Sequence, residues 1–145
     1  MVSTPGKMFQ PATGPATRHS LVQVKELNKK KRFSTFAPAL EDGLHQSVLD
    51  EISPIMASNF SPLDPLYFLH LNNIDRLWAL WQELDERRLK EYGNIFPNKL
   101  TTAPTTTPPA TVNDQIYIAM QEFPAVKVGD LLDTLGPTLC YKYQY

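Results

Sequence analysis

Between Leu66 and Leu84 apolar residues return every three or four positions. Leu66, Leu69, Ile74, Leu77, Trp78, Leu80, Trp81 and Leu84 form one wide stripe when wound as a helix. Asp64 is a good N-cap, and Pro65 suits the first helical position, where its missing N–H costs nothing. The pattern predicts a helix from residue 64 to about residue 92, with Gly93 as its stop. The run Asp85-Glu86-Arg87-Arg88-Leu89-Lys90-Glu91 is charged, which predicts that this end faces water.

A second helix is predicted over about 41–52. Leu44, His45, Val48, Leu49 and Ile52 share one face, and Ser53-Pro54 ends the run because proline cannot continue the hydrogen-bond ladder. Residues 1 to about 20 are rich in Pro, Thr, Ser and Gly and read as a mobile leader. Leu21–Leu27 fits either a short strand or a helix, so the flexible leader is drawn to residue 31 and the folded part over 32–145. Thr101–Pro109 reads as a surface linker, Val128–Thr134 as a short helix and Leu139–Tyr143 as a closing extended segment. The expected fold is mainly α: an antiparallel helix pair with a loop-rich C-terminal tail.

Composition narrows the function classes. The chain has 145 residues, enough for one domain with a core. Its 14 basic and 15 acidic residues leave a formal charge of −1, which implies no nucleic-acid partner. The run Lys29-Lys30-Lys31-Arg32 has no aromatic or glycine pattern beside it and reads as a solvated flank. No stretch reaches the roughly 18 apolar residues of a membrane span, and no secretory signal is visible at the start. The single Cys140 rules out an internal disulfide and is compatible with a reducing compartment.

The run from Ser61 to Trp78 carries the chemistry. It reads Ser61-Pro62-Leu63-Asp64-Pro65-Leu66-Tyr67-Phe68-Leu69-His70-Leu71-Asn72-Asn73-Ile74-Asp75-Arg76-Leu77-Trp78. It resembles the second copper-site motif, S-P-x-D-P-x-F-x-x-H-H-x-N-x-D-R-x-W, of the tyrosinase, catechol oxidase and molluscan haemocyanin family. The upstream run from Leu40 to Met56 is similar to that family's preceding helix, L-E-G-G-P-H-N-x-V-H-x-x-I-G-G-x-M. Tyr141-Lys142-Tyr143 is similar to the Y-x-Y motif that closes the family's core. The likeness extends over roughly residues 32–145.

What the resemblance implies is a copper B site of three neutral imidazoles, a ligand type that suits copper in both its oxidation states. His45 matches the first ligand. Leu49 and Leu71 stand at the other two ligand positions, and His70 matches the family's non-ligating histidine. His45 and His70 are therefore the metal candidates of this chain, each with a structural reading as a hydrogen-bonded helix histidine. Together they form a metal pair only if their rings converge. Asp64, Pro65, Asp75, Arg76, Trp78, Tyr141 and Tyr143 match structural positions of the motif. Asp75 and Arg76 are expected as a supporting pair. Glu41 lies near a position that orients a water in some members, and it serves equally as helix N-terminal charge.

Intact relatives oxidise phenols and o-diphenols to quinones at two coppers held by six histidines. This chain contains three, His19, His45 and His70, so the resemblance implies copper in the family and none, or weakly bound copper, here. Leu49 and Leu71 are expected buried between the two helices in the space of the lost site, worth about 1.5–3 kcal/mol each if fully buried. Ligand loss by drift and by redesign predict the same residues. Three functions follow: a degenerate tyrosinase-like protein inactive as a single chain, an interaction subunit or homodimer that covers the apolar stripe, or a residual mononuclear oxidoreductase.

Overall fold

The computed structural model describes residues 21–93, 110–117 and 124–144. The expected mainly α class holds. The elements are α1 (Leu21–Asn28), α2 (Phe33–Pro38), a π-helical stretch (Ala39–His45), α3 (Gln46–Ile52), α4 (Pro65–Glu83), three short 3₁₀ turns, and two strands of two residues each. The Thr101–Pro109 linker and His19 lie outside the described residues.

The segment Leu21–Leu27, left between strand and helix by its pattern, is helical and buries Leu27. Folded structure thus begins well before residue 32. Val24 and Leu27 join a cluster of Phe33, Phe36, Leu40, Leu44, Leu77 and Trp81, with Ile74 and Trp78 packed against it. The apolar burial of that cluster decides in favour of helix where local periodicity did not.

From Phe33 to Ile52 the backbone is helical almost without interruption. Pro38 lies inside it and has no N–H to give to the turn before. The ladder continues past Pro38 as a π-helix, in which the Gln46 amide reaches back to the Glu41 carbonyl. His45 is the last residue of this stretch. The helix predicted over 41–52 is therefore a π turn followed by α3, and it stops at Ser53, whose backbone is extended, as the Ser53-Pro54 signal required.

α4 starts as predicted. Asp64 accepts from the Leu66 amide at 2.9 Å, and Pro65 occupies the first position. It ends at Glu83, short of the expected 92. Asp85 turns extended and caps a new 3₁₀ turn, Glu86–Lys90, by accepting from the Arg87 amide. The Arg87 side chain hydrogen-bonds the same carboxylate and holds it down to about 2. Nor does the whole charged run face water. Arg88 is buried, donates Nη1 to the Trp81 carbonyl at 2.8 Å, and lies 4.7 Å over the Trp81 ring. Gly93 is not a helix stop. Its φ of 91° and a 1.9 Å approach of the Ala110 carbonyl oxygen to any added Cβ make it the point where the chain passes close to residue 110.

The tail lies along α4. Gln82 donates Nε2 to the Leu132 carbonyl at 2.8 Å, and Val128 and Leu132 are buried. Val128–Leu131 is a short 3₁₀ turn where a short helix was expected. Leu139–Tyr143 forms no strand. Cys140 takes a left-handed φ of 54°, and the Tyr141 amide donates to Thr134 at 2.9 Å, so the segment bends back on itself.

Candidate functional site

Two clusters involve the residues singled out in the sequence, both built on α4. The first joins His45 to His70. His45 Nδ1 and His70 Nε2 are 2.9 Å apart. The ring planes differ by only 13° with centroids 5.0 Å apart. A centroid separation so much longer than the nitrogen contact means that the rings meet end to end, nearly in one plane, and not face to face. This is the geometry of an N–H···N hydrogen bond: one inner nitrogen donates and the other accepts. His70 is buried and His45 half-buried, so the pair satisfies polar atoms that burial would otherwise penalise.

The convergence of His45 and His70 makes residue 70, not 71, the one that faces the first helix. A helical step rotates by about 100°, so Leu71 points elsewhere. Leu71 is 36% exposed and does not fill the space of a lost site, contrary to expectation. Leu49 is buried at 7%, as expected. One of the two substituted positions thus adds apolar burial, and the other lies on the surface beside Phe68 and Leu69, which are exposed too.

The donor set differs from the three-imidazole copper site that the resemblance implies. The inner lone pair of the pair points at the neighbouring N–H, whereas joint ligation needs two lone pairs converging on one point off that line. Leu49 offers no third donor. Among the described residues no three His, Cys, Asp or Glu side chains group as a metal site. Glu41 is exposed in the first turn of the π-helix.

The second cluster joins Asp75 to the Y-x-Y motif. Tyr141 donates its hydroxyl to Asp75 Oδ2 at 2.5 Å and Tyr143 donates to the same oxygen at 2.6 Å. Tyr143 also reaches the Asn72 carbonyl at 3.2 Å. Burial, and then the hydrogen bond to Asp75, raise the Tyr141 pKa above the ordinary tyrosine value. Asp75 is therefore not the partner of Arg76. The Arg76 guanidinium donates Nε and Nη2 to Asn73 Oδ1, at 3.2 and 2.8 Å. Adjacent helix positions diverge, and Asp75 turns to the tail while Arg76 turns to the α1 side.

Trp78 is a core aromatic, 5.3 Å from the Phe33 ring. Nothing in the sequence pattern announced the buried Arg88 or the Gln82 bond to the tail. Arg88 belongs to the charged run that was expected to face water.

Comparison with known proteins gives the class to which this helical frame belongs. The profile of the common central domain of tyrosinase matches residues 7–84. Tyrosinase ustQ of Aspergillus flavus is 36% identical over 107 residues, 72% of this chain and 26% of that protein. Tyrosinase-like protein phomQ2 of Diaporthe leptostromiformis is 29% identical over 122 residues, 83% of this chain and 29% of that protein. The haemocyanin G-type of Enteroctopus dofleini is 53% identical over 34 residues, 23% of this chain and 1% of that protein. The chain belongs to the tyrosinase family. It spans between a quarter and a third of the length of the two tyrosinase relatives it matches. No solved structure matches it.

Proposed function

We propose that this chain is a degenerate tyrosinase-family unit that does not by itself hold the copper centre of phenol oxidation. The observation that carries the reading is the His45–His70 hydrogen bond, which ties up one nitrogen of each imidazole so that these two do not converge on a shared metal. Leu49 and Leu71 at the other ligand positions support it. In a family enzyme, bound copper supplies the site where dioxygen is activated. In this chain His45 and His70 hold a proton between them, Asp75 clasps the tail, and Leu49 packs inside. The full chain, loaded with copper and cleared of excess, is expected to retain well under one copper per chain and to leave catechol unoxidised. Two coppers per chain with quinone formation would overturn the reading.

A second reading, a homodimer or a subunit docked on a partner, is favoured by the apolar side chains left on the surface. Leu63, Leu66, Phe68 and Leu69 are 77%, 49%, 55% and 65% exposed, while Leu77 and Trp81 further along are covered by α1 and α2. A second copy is the simplest cover for the bare part. Sedimentation at micromolar concentration tests it. A dimer supports the homodimer, and a monodisperse species of 16.4 kDa removes it.

A further inference from the structure

α1, α3 with the π turn before it, and α4 leave a cleft between them of about 230 Å³. Its walls are aliphatic: Leu21 and Val24 from α1, Leu44 and Val48 from the π turn and α3, Ile74 and Leu77 from α4. The polar residues lining it are His70, Asn73 and Arg76, spaced along α4. His70 is bonded to His45. Arg76 is different. Two of its nitrogens are fixed on the neutral oxygen of Asn73, and no carboxylate pairs with it among the described residues. Its sequence neighbour Asp75 is occupied by the two tyrosines on the tail side.

An Arg held in place by an amide, half-buried, and lacking an anion is a preformed half of an ion pair. Asn73 fixes the guanidinium plane, so little side-chain freedom remains to be lost when an anion arrives. The cleft beside it lies below the roughly 300 Å³ at which pockets for drug-sized ligands begin. It therefore takes a small molecule, and its lining, with no aromatic ring besides His70, suits a flexible aliphatic body.

We propose that this cleft binds a short aliphatic monocarboxylate, with the carboxylate on Arg76 and the hydrocarbon between Val24, Val48 and Leu77. His70 of the histidine pair lines one side of the cleft, but the proposed contacts are Arg76 and the aliphatic walls and do not depend on the copper reading. A neutral ligand of the same shape gains the apolar contact but not the ion pair. A dicarboxylate would drive its second charge into an aliphatic wall, at a desolvation cost nothing there offsets.

Calorimetric titration of hexanoate and of hexanol into the full chain tests the proposal. Hexanoate is expected to bind one site at least about tenfold more tightly than hexanol, the difference one charge-assisted contact supplies. Arg76→Gln should bring hexanoate down to the level of hexanol and leave hexanol unchanged. Equal affinities in the unaltered chain, no saturable binding of either ligand, or a preference that survives Arg76→Gln would each overturn it. Val24→Trp fills the cleft with the guanidinium intact and should abolish hexanoate binding. Retained binding in that variant puts the anion elsewhere and overturns the assignment, even if Arg76→Gln does not fold.

Discussion

Tyr141 donates its hydroxyl to Asp75 Oδ2 at 2.5 Å across 66 positions of sequence, and this contact fastens the tail to α4. Tyr143 shares the same oxygen. Hydrogen bonds to a charged acceptor contribute about 1.5–3 kcal/mol each, but two donors on one oxygen are not independent. Tyr141→Phe and Tyr143→Phe should each destabilise the chain, and the double variant should depart from the sum by about 0.5–3 kcal/mol. Denaturant unfolding of the four proteins measures this. Strict additivity would mean that the phenols do not share Asp75.

The same clasp sets an alkaline limit. The raised Tyr141 pKa means that the folded chain keeps a proton which the unfolded chain releases near pH 10. Its contribution is therefore complete below about pH 10 and is lost as pH rises through the folded value. An ultraviolet titration should find tyrosine ionisation that extends above the ordinary value, from Tyr141. Asp75→Asn removes a secondary cause of the shift, so Tyr141 should move back toward the ordinary tyrosine value while remaining somewhat high from burial.

Trp81 is fully buried, stacks on Phe36 at 4.3 Å and donates Nε1 to the Lys30 carbonyl at 2.6 Å. Trp81→Ala should cost about 3–5 kcal/mol, the range for emptying a large aromatic site. Trp81→Phe keeps most of the ring contact but orphans the Lys30 carbonyl, and should cost about 1–3 kcal/mol. Thermal unfolding with a matched surface control distinguishes the two.

The two leucines at ligand positions should behave differently when histidine is returned to them. Leu49 is buried one turn beyond His45, whereas Leu71 is exposed and turned from it. Leu49→His should raise copper affinity by at least about tenfold and cost about 2–3 kcal/mol of apolar burial. Leu71→His should change neither by much. Equal gains from both substitutions would show that α4 is rotated from its described position.

The helical frame was legible because its signals are local. Asp64-Pro65 starts α4 and Ser53-Pro54 closes α3, each by the chemistry of a single residue. Of the periodic stripe, Leu77 and Trp81 are buried, whereas Leu66, Leu69 and Leu84 are exposed. The end of α4 was not legible, since the continued run of good helix formers hid the Asp85 cap and the return of Arg88 onto Trp81. At the site, the residues were visible but their pairing was not. The partner of Asp75 lay 66 and 68 positions away, and the partner of His70 lay 25 away. The π-helical stretch that follows Pro38 and ends at His45 leaves no mark in the apolar period.

The measurement that bears most directly on the account is nitrogen NMR of the full chain with labelled histidine, before and after equimolar copper(I). A scalar coupling is expected between His45 Nδ1 and His70 Nε2 across their hydrogen bond, unchanged when copper is added. Loss of that coupling on copper addition, with both nitrogens shifting together in proportion to the metal, would contradict it and make the pair a metal site.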